Sequence, residues 1–225
     1  MKKQRIQTAD GSHSFYLPEM DEQYHSKHGS IAESQHIFIE AGLKEVAKQK
    51  SDIQIFEVGM GTGLNVFLTA LAARDQNLAV YLESIEAFPI DYPEAASLNY
   101  AELLEEDGSL FNTIHEVDWN KSIQLQPNFT LKKVEAKLEE YDFDQKFDLV
   151  YFDAFAPEKQ AKMWQEAIFK KLFKAMNEEA VLVTYCVKGI IRRRLQALCF
   201  EVEKLPGPPG GKREMLRARK VKSSK

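Results

Sequence analysis

The chain has 225 residues, of which 44% are hydrophobic, 28% charged and 11% aromatic. That length predicts one sizeable domain or two small ones, able to bury a core without metals or disulfide staples. The composition excludes a disordered or fibrous chain. The basic start, Met1-Lys2-Lys3-Gln4-Arg5, has no apolar stretch behind it, so no signal peptide is expected. No run nears the roughly 18 apolar residues of a membrane helix, so no membrane partner is expected. Cys186 and Cys199 are the only cysteines, too few for a disulfide framework and without metal-binding spacing. A reduced, cytoplasmic protein without a metal is the expectation.

The formal net charge of -4 conceals two opposed stretches. From Glu83 to Asp118 there are ten acidic residues and no Lys or Arg, whereas Cys186 to Lys225 holds twelve Lys/Arg against three Glu. A basic stretch of this kind reads either as a phosphate-binding footprint or as a solvated face and tail.

In chain order, residues 1–20 read as a hairpin turning at Ala9-Asp10-Gly11-Ser12. Apolar Ile31, Ile37, Phe38, Ala41, Leu43, Val46 and Ala47 predict one helix from Ser30 to Lys48. Alternation then sets in. Ile53–Val58 is a first strand followed by a helix over 64–74, and Ala79–Ile85 a second strand followed by a helix over 92–104. Phe111–Val117 reads as the third strand, Leu131–Tyr141 as a charged amphipathic helix, and Phe147–Phe152 as the fourth strand. A helix over 164–176, a strand over 180–185 and a helix over 190–198 follow. Strands over 200–204 and 214–218 close the sheet as a hairpin across a Pro/Gly loop. Strands alternating with helices predict an α/β, doubly wound, mostly parallel sheet. Residues 1–50 form a small N-terminal extension and residues 51–225 the main domain.

Glu57-Val58-Gly59-Met60-Gly61-Thr62-Gly63-Leu64-Asn65 follows the first strand and opens a helix. Glycines there let the chain turn sharply and let a ligand approach the backbone, in the crevice where open α/β sheets bind ligands. Position 64 is Leu, which breaks the dinucleotide fingerprint, and no Lys-Ser/Thr follows for a phosphate-gripping loop. The E-x-G-x-G-x-G spacing resembles the S-adenosylmethionine (SAM) loop of class I methyltransferases. Glu86, ending the second strand, suits the ribose hydroxyls; Glu83 competes for that role from inside the strand. Asp118, ending the predicted third strand, suits an adenine amino group. Asp153 follows the fourth strand in Asp153-Ala154-Phe155-Ala156-Pro157 and is the first choice for a catalytic residue beside the same crevice.

These motifs, together with Tyr24-His25-Ser26, Gly29, Glu33, Glu86-Ala87-Phe88-Pro89, Met163-Trp164, Thr184-Tyr185, Arg192-Arg193 and Lys212-Arg213-Glu214-Met215-Leu216, span nearly the whole chain. In that order they resemble the MnmC-like tRNA 5-aminomethyl-2-thiouridine methyltransferase family, in its stand-alone form. The resemblance implies a class I SAM-dependent methyltransferase with a Rossmann-like, seven-stranded sheet. It implies N-methylation of the aminomethyl group on the wobble uridine in the tRNA anticodon loop, giving 5-methylaminomethyl-2-thiouridine. SAM is the implied cofactor, held by Glu57, Gly59, Gly61, Gly63, Asn65, Glu86 and Asp118. FAD is not expected, because the chain stops where bifunctional members begin their oxidase domain. Phe88, Phe155, Trp164 and Tyr185 are candidates to wall the base pocket, with simple core packing the competing reading for Trp164. Tyr24 and Glu33 belong to the SAM or base pocket on resemblance alone. Arg192, Arg193, Lys212 and Arg213 are candidate phosphate contacts, while Arg194 is expected to face solvent. Two other readings compete: a small-molecule N-methyltransferase, and a catalytically inactive SAM-fold module that binds RNA.

Overall fold

A computed structural model describes residues 2–208, 210–211 and 213–222. Strands β1 (Gln4–Gln7), β2 (His13–Leu17) and β3 (Glu22–Gln23) form a small antiparallel sheet, so the predicted hairpin gains a third strand. Helix α1 (Ser30–Ser34), a π-helical stretch (Gln35–Leu43) and α2 (Lys44–Ala47) run without a break where one helix was predicted. Then come β4 (Asp52–Val58), α3 (Leu64–Gln76), β5 (Ala79–Glu86), α4 (Tyr92–Ala95), α5 (Tyr100–Leu103) and α6 (Ser109–Glu116). The remainder is β6 (Ser122–Gln126), β7 (Phe129–Glu135), β8 (Phe147–Phe152), a 3-10 turn (Ala161–Trp164), α7 (Glu166–Ala175), β9 (Met176–Thr184), α8 (Gly189–Ala197), β10 (Phe200–Pro206) and β11 (Glu214–Lys220).

The large sheet has eight strands in the order β10-β11-β9-β8-β4-β5-β7-β6. Strands β9, β8, β4, β5 and β7 are mutually parallel, while β11, β10 and β6 pair antiparallel. Period-two alternation divides the core between the two faces of the sheet. Ile53, Ile55, Leu149 and Tyr151 pack with Phe38, Phe67 and Phe111, whereas Phe56, Val58, Val150 and Phe152 pack with Trp164, Phe169 and Leu172. Every residue of β8 is buried, as expected for a central parallel strand covered on both faces.

Three predicted elements differ. Residues 111–117 are the body of helix α6, because Leu110, Phe111 and Ile114 recur at helical rather than alternating spacing and Asp107 accepts from the Ser109 N–H and hydroxyl at the helix start. The third parallel strand is β7, where a charged helix was predicted. Phe129 and Leu131 are buried on alternate positions, and the misleading residue is Lys133, which is buried and donates to His115 O at 2.8 Å. Strand β6 forms a hairpin with β7 and adds the eighth strand at the sheet edge. The predicted helix over 92–104 is split because Asn99 is drawn into the N-terminal sheet: its Oδ1 accepts from His13 N at 2.7 Å and its Nδ2 donates to Gly11 O. Arg5 to Ser97 O and Lys3 to Glu94 complete that docking. It brings the segment after β3 over the ends of β4 and β5.

Candidate active site

The glycine loop turns on left-handed backbone. Gly59, Gly61 and Gly63 have φ of 87, 50 and 75°. A side chain at Gly59 would place its Cβ 2.8 Å from Asp153 O, and one at Gly63 would place it 2.8 Å from His115 Nε2. The two strand ends and α6 therefore close on the loop, and only glycine fits.

Two backbone N–H groups hold Glu86 at the end of β5: Gly61 N donates to Oε2 at 3.1 Å and Phe88 N to Oε1 at 2.9 Å. Each carboxylate oxygen retains a lone pair, the requirement for gripping a diol. Glu83 is buried and engaged by Tyr81, Tyr141 and Lys132, and does not line the cleft.

The structure corrects the expectation that Glu57 touches the cofactor. Its side chain is fully buried behind the loop and does not line the cleft. It accepts the Ser84 hydroxyl on Oε2, and its Oε1 has no partner. Burial pushes its pKa up to about 8, so it is mostly protonated at neutral pH. Asn65 does line the cleft, and its Nδ2 donates to Asp153 Oδ2 at 2.9 Å.

Asp153 sits where β8 ends, its N–H donating to Val58 O at 3.0 Å. It borders two adjoining cavities. The first runs along the glycine loop past Glu86 and Phe88. The second is lined by Glu22, Gln23, Ser26, Glu33 and Tyr185, and shares Tyr24, His25, Asp153, Ala154 and Phe155 with the first. The rings of Tyr24 and Phe155 meet edge to face at 5.1 Å, forming an aromatic partition. Burial drives the His25 pKa down to about 4, so its imidazole is neutral at pH 7. Its ring nitrogens contact Ser14 Oγ at 3.0 Å and Thr62 Oγ1 at 3.4 Å.

Two aromatic candidates divide. Phe88 is 60% exposed on the cleft rim, a surface open to stacking. Trp164 lines neither cavity; it is core, packed on Phe152, and its Nε1 donates to Phe155 O at 2.7 Å. It therefore acts as a buttress of the Asp153 loop, with Tyr185 donating to Ala154 O at 2.9 Å as a second. Arg194, expected in solvent, donates to Trp164 O.

Asp118 is also displaced from its expected place. It follows a helix rather than a strand, is exposed, and pairs with Lys121 at 2.7 Å away from the cleft. Residues Ala136, Lys137, Leu138 and Glu139, just after β7, line the cleft instead, with Ala136 N donating to Glu86 O. Sequence reasoning missed them because it placed a helix there; the alternating Phe129 and Leu131 were the available signal.

None of Arg192, Arg193 and Arg213 lines either cavity, and Lys212 lies outside the described residues. Arg193 and Arg213 are exposed, while Arg192 is half-buried with its Nε unpartnered. Much of the other C-terminal basic charge is spent internally: Arg217 and Arg219 both pair with Glu45, Lys204 pairs with Glu214 and Lys220 with Glu178.

The cleft fits SAM. The glycines leave backbone open to a ligand, Glu86 is held at the cleft wall by two backbone N–H groups, and Asn65 Oδ1 is a buried acceptor without a partner. Among the described residues, no group of three or more His, Cys, Asp or Glu is placed to hold a metal ion, and no helix is long and apolar enough to cross a membrane.

Known proteins agree with this geometry. Bifunctional tRNA 5-methylaminomethyl-2-thiouridine biosynthesis proteins MnmC from Cupriavidus metallidurans and Azoarcus sp. are 31% and 32% identical over 219 and 211 residues. Those matches cover 91% and 87% of this chain but 32% of each relative, so the chain spans about a third of their length. The crystal structure of MNMC2 from Aquifex aeolicus superposes with a TM-score of 0.77 at 26% identity, covering 100% of this chain and 73% of that one. Spermidine synthase from Thermotoga maritima shares the fold alone, at 16% identity and a TM-score of 0.57 over 96% of this chain and 72% of that one. A family model described as S-adenosyl-L-methionine-dependent methyltransferase matches residues 99–221, more than half of the chain. With that match and the cleft built around Glu86 and Asp153, the chain belongs to the S-adenosyl-L-methionine-dependent methyltransferase family.

Proposed function

We propose that the chain methylates the nitrogen of an aminomethyl group on the wobble uridine of the tRNA anticodon loop, giving 5-methylaminomethyl-2-thiouridine, in the cytoplasm. The observation that carries this is the pair of cavities meeting at Asp153: one suits SAM, and the other opens on the same carboxylate. The pathway named in the MnmC relatives supports the choice of acceptor.

SAM supplies an electrophilic methyl group on a sulfonium. The chain's part is to bring a nitrogen lone pair to it. A free alkylamine resembles Lys, with a pKa of about 10.4, and is protonated at neutral pH. Asp153 receives that ammonium, holds it in line and accepts its proton. Asn65 fixes the carboxylate from one side, and Trp164 and Tyr185 steady the loop that carries it. With SAM bound along the glycine loop, the freed pair on nitrogen would take its methyl group, the C–S pair leaving with sulfur, while Asp153 and Asn65 keep the amine in place. Positioning of this kind contributes about 7–11 kcal/mol in favourable cases, so Asp153 need not be a strong base. The wobble base lies in a single-stranded loop, and splaying it out costs less than extruding it from a duplex. Phe88, exposed on the rim, is a stacking surface for it. Arg192, Arg193, Lys212 and Arg213 are the proposed phosphate contacts.

The test is methylation of bulk tRNA carrying the aminomethyl base, followed by mass spectrometry of its nucleosides. Wild type is expected to yield the monomethylated nucleoside. Asp153→Asn is expected to bind SAM normally and to lose single-turnover methylation by at least a hundredfold. No product from wild type with bound SAM, or product only from small amines, would reject the tRNA reading.

A further inference from the structure

The second cavity carries more information than its position. Its wall is rich in acceptors. Glu33 is only 9% exposed, spends Oε2 on Ser26 N at 3.0 Å, and leaves Oε1 without a partner. Gln23, from the short strand β3, likewise leaves Oε1 unpartnered. Asp153 closes the third side, and Glu22 adds another carboxylate. Among the nearby donors, the Tyr185 hydroxyl goes to Ala154 O and Ser26 N to Glu33 Oε2, and no donor of the described residues reaches Glu33 Oε1 or Gln23 Oε1. His25 is neutral at pH 7, and Lys27, the one ammonium on the lining among the described residues, is solvent-exposed. Buried acceptors without donors are costly unless a ligand supplies the missing N–H groups. An apolar or anionic group does not satisfy this wall. A primary ammonium does, with three N–H donors on one small cation.

We infer that this cavity is an ammonium seat in which Glu33 and Gln23 select a cationic alkylamine and limit its methylation to one transfer. The inference rests on the N-methylation proposed above and assigns the residues that read the acceptor. The three N–H groups of the incoming ammonium go to Glu33, Gln23 and Asp153. Once Asp153 has taken one proton, the remaining two N–H groups stay on Glu33 and Gln23, and the lone pair lies along the released N–H, towards Asp153 at the border of the two cavities. After the first transfer, the product is a secondary ammonium, R–NH2⁺–CH3, with two N–H groups. A second transfer would require it to lose another proton and then turn its methyl onto Glu33 or Gln23. That leaves a buried acceptor unpaired, the kind of mismatch by which enzymes reject a group lacking an N–H. Glu33 and Gln23 act as specificity determinants rather than as participants in the bond changes.

The experiment uses the full chain, SAM and tRNA bearing the aminomethyl base. Glu33→Gln keeps an oxygen for Ser26 N but removes the charge and turns the unpartnered Oε1 acceptor into an amide donor. The expected result is a KM for the tRNA raised at least tenfold, kcat within a few-fold, and unchanged SAM affinity and unfolding temperature. Gln23→Leu is expected to produce a dimethylated nucleoside, absent from wild-type digests, on prolonged incubation with excess SAM. An unchanged KM for Glu33→Gln, or a monomethyl-only product from Gln23→Leu, overturns the assignment. If Glu33→Gln does not fold, the Gln23→Leu product decides alone. Inactivity of the wild type on this tRNA is a separate outcome: it rejects the acceptor proposed above, and the ammonium seat with it. A wild type active with indifferent variants removes the seat alone.

Discussion

Replacing Glu57 by Gln tests the claim that a carboxyl group is buried without its charge beneath the SAM loop. Glu57 has no exposed surface, one hydrogen-bond donor in Ser84, and an unpartnered Oε1. Its folded pKa of about 8 stands against an ordinary 4.5. The folded state therefore holds a proton that the unfolded chain releases above pH 4.5. By linkage, stability falls as pH rises from 4.5 towards 8, because the unfolded state binds fewer protons. Between pH 5 and pH 7.5 the loss attributable to this group is about 3 kcal/mol. His25 and His115 act in the opposite sense. Burial lowers both to about 4, so their contribution is present above about pH 6.5 and is lost as pH falls through 4. A raw stability profile of the wild type mixes these terms, but the difference between wild type and Glu57→Gln does not. The Gln side chain keeps an oxygen for the Ser84 hydroxyl and does not titrate. Denaturant unfolding of both proteins at half-unit steps from pH 5 to 8 is the assay. The variant is expected to gain on the wild type steadily with pH, by about 3 kcal/mol across the range. A flat difference would show that Glu57 is ionised in the folded state and that the buried-acid reasoning is wrong.

Glu86→Ala is expected to weaken SAM binding more than tenfold, because a charge-assisted hydrogen bond is typically worth about 1.5–3 kcal/mol; an unchanged dissociation constant by titration calorimetry would remove Glu86 from the ribose. Gly63→Ala forces a side chain into left-handed backbone and onto His115, at a cost of about 1–3 kcal/mol, visible as a lower denaturation midpoint. A midpoint equal to wild type would mean that α6 gives way without cost. Neutralising Arg192, Arg193, Lys212 and Arg213 together is expected to flatten the log–log salt dependence of tRNA binding by about 0.7–0.9 for each phosphate no longer neutralised, with SAM affinity unchanged. Identical slopes would place the tRNA surface elsewhere.

Much of the fold and part of the site are legible in the residues. Local order suffices for the strand–glycine–helix unit at 53–76, because an apolar strand, left-handed turns and a helix start are each short-range events. It suffices also for the place of Asp153, which directly follows the run Leu149–Phe152 at the end of a buried strand, and for the terminal hairpin, whose Pro/Gly turn separates two alternating runs. Local order failed at 111–135. There Lys132 and Lys133 read as one polar face of a helix, yet Lys133 is held inside by His115 O and by the Trp119 ring at 4.8 Å, while Lys132 pairs with Glu83 at 3.1 Å. Those partners are separated from the lysines in sequence, and only folding brings them close. The same reason moved Asp118 out of the cleft and admitted residues 136–139.

The tertiary structure also decided where each candidate residue sits and what it touches. Glu57 and Glu86 are both acids next to the same loop. One is sealed behind it and kept protonated, and the other is clamped by two N–H groups at the cleft wall. Trp164 turned from a pocket wall into a buttress. The chain offered Tyr24, Glu33, Asp153, Phe155 and Tyr185 only as separate candidates; that they line one second cavity was decided by the fold. Its walls come from β3, α1, the loop after β8 and the end of β9, segments spread over more than 160 positions from Glu22 to Tyr185. A cavity is a property of surfaces brought together by packing, and no stretch of sequence contains one.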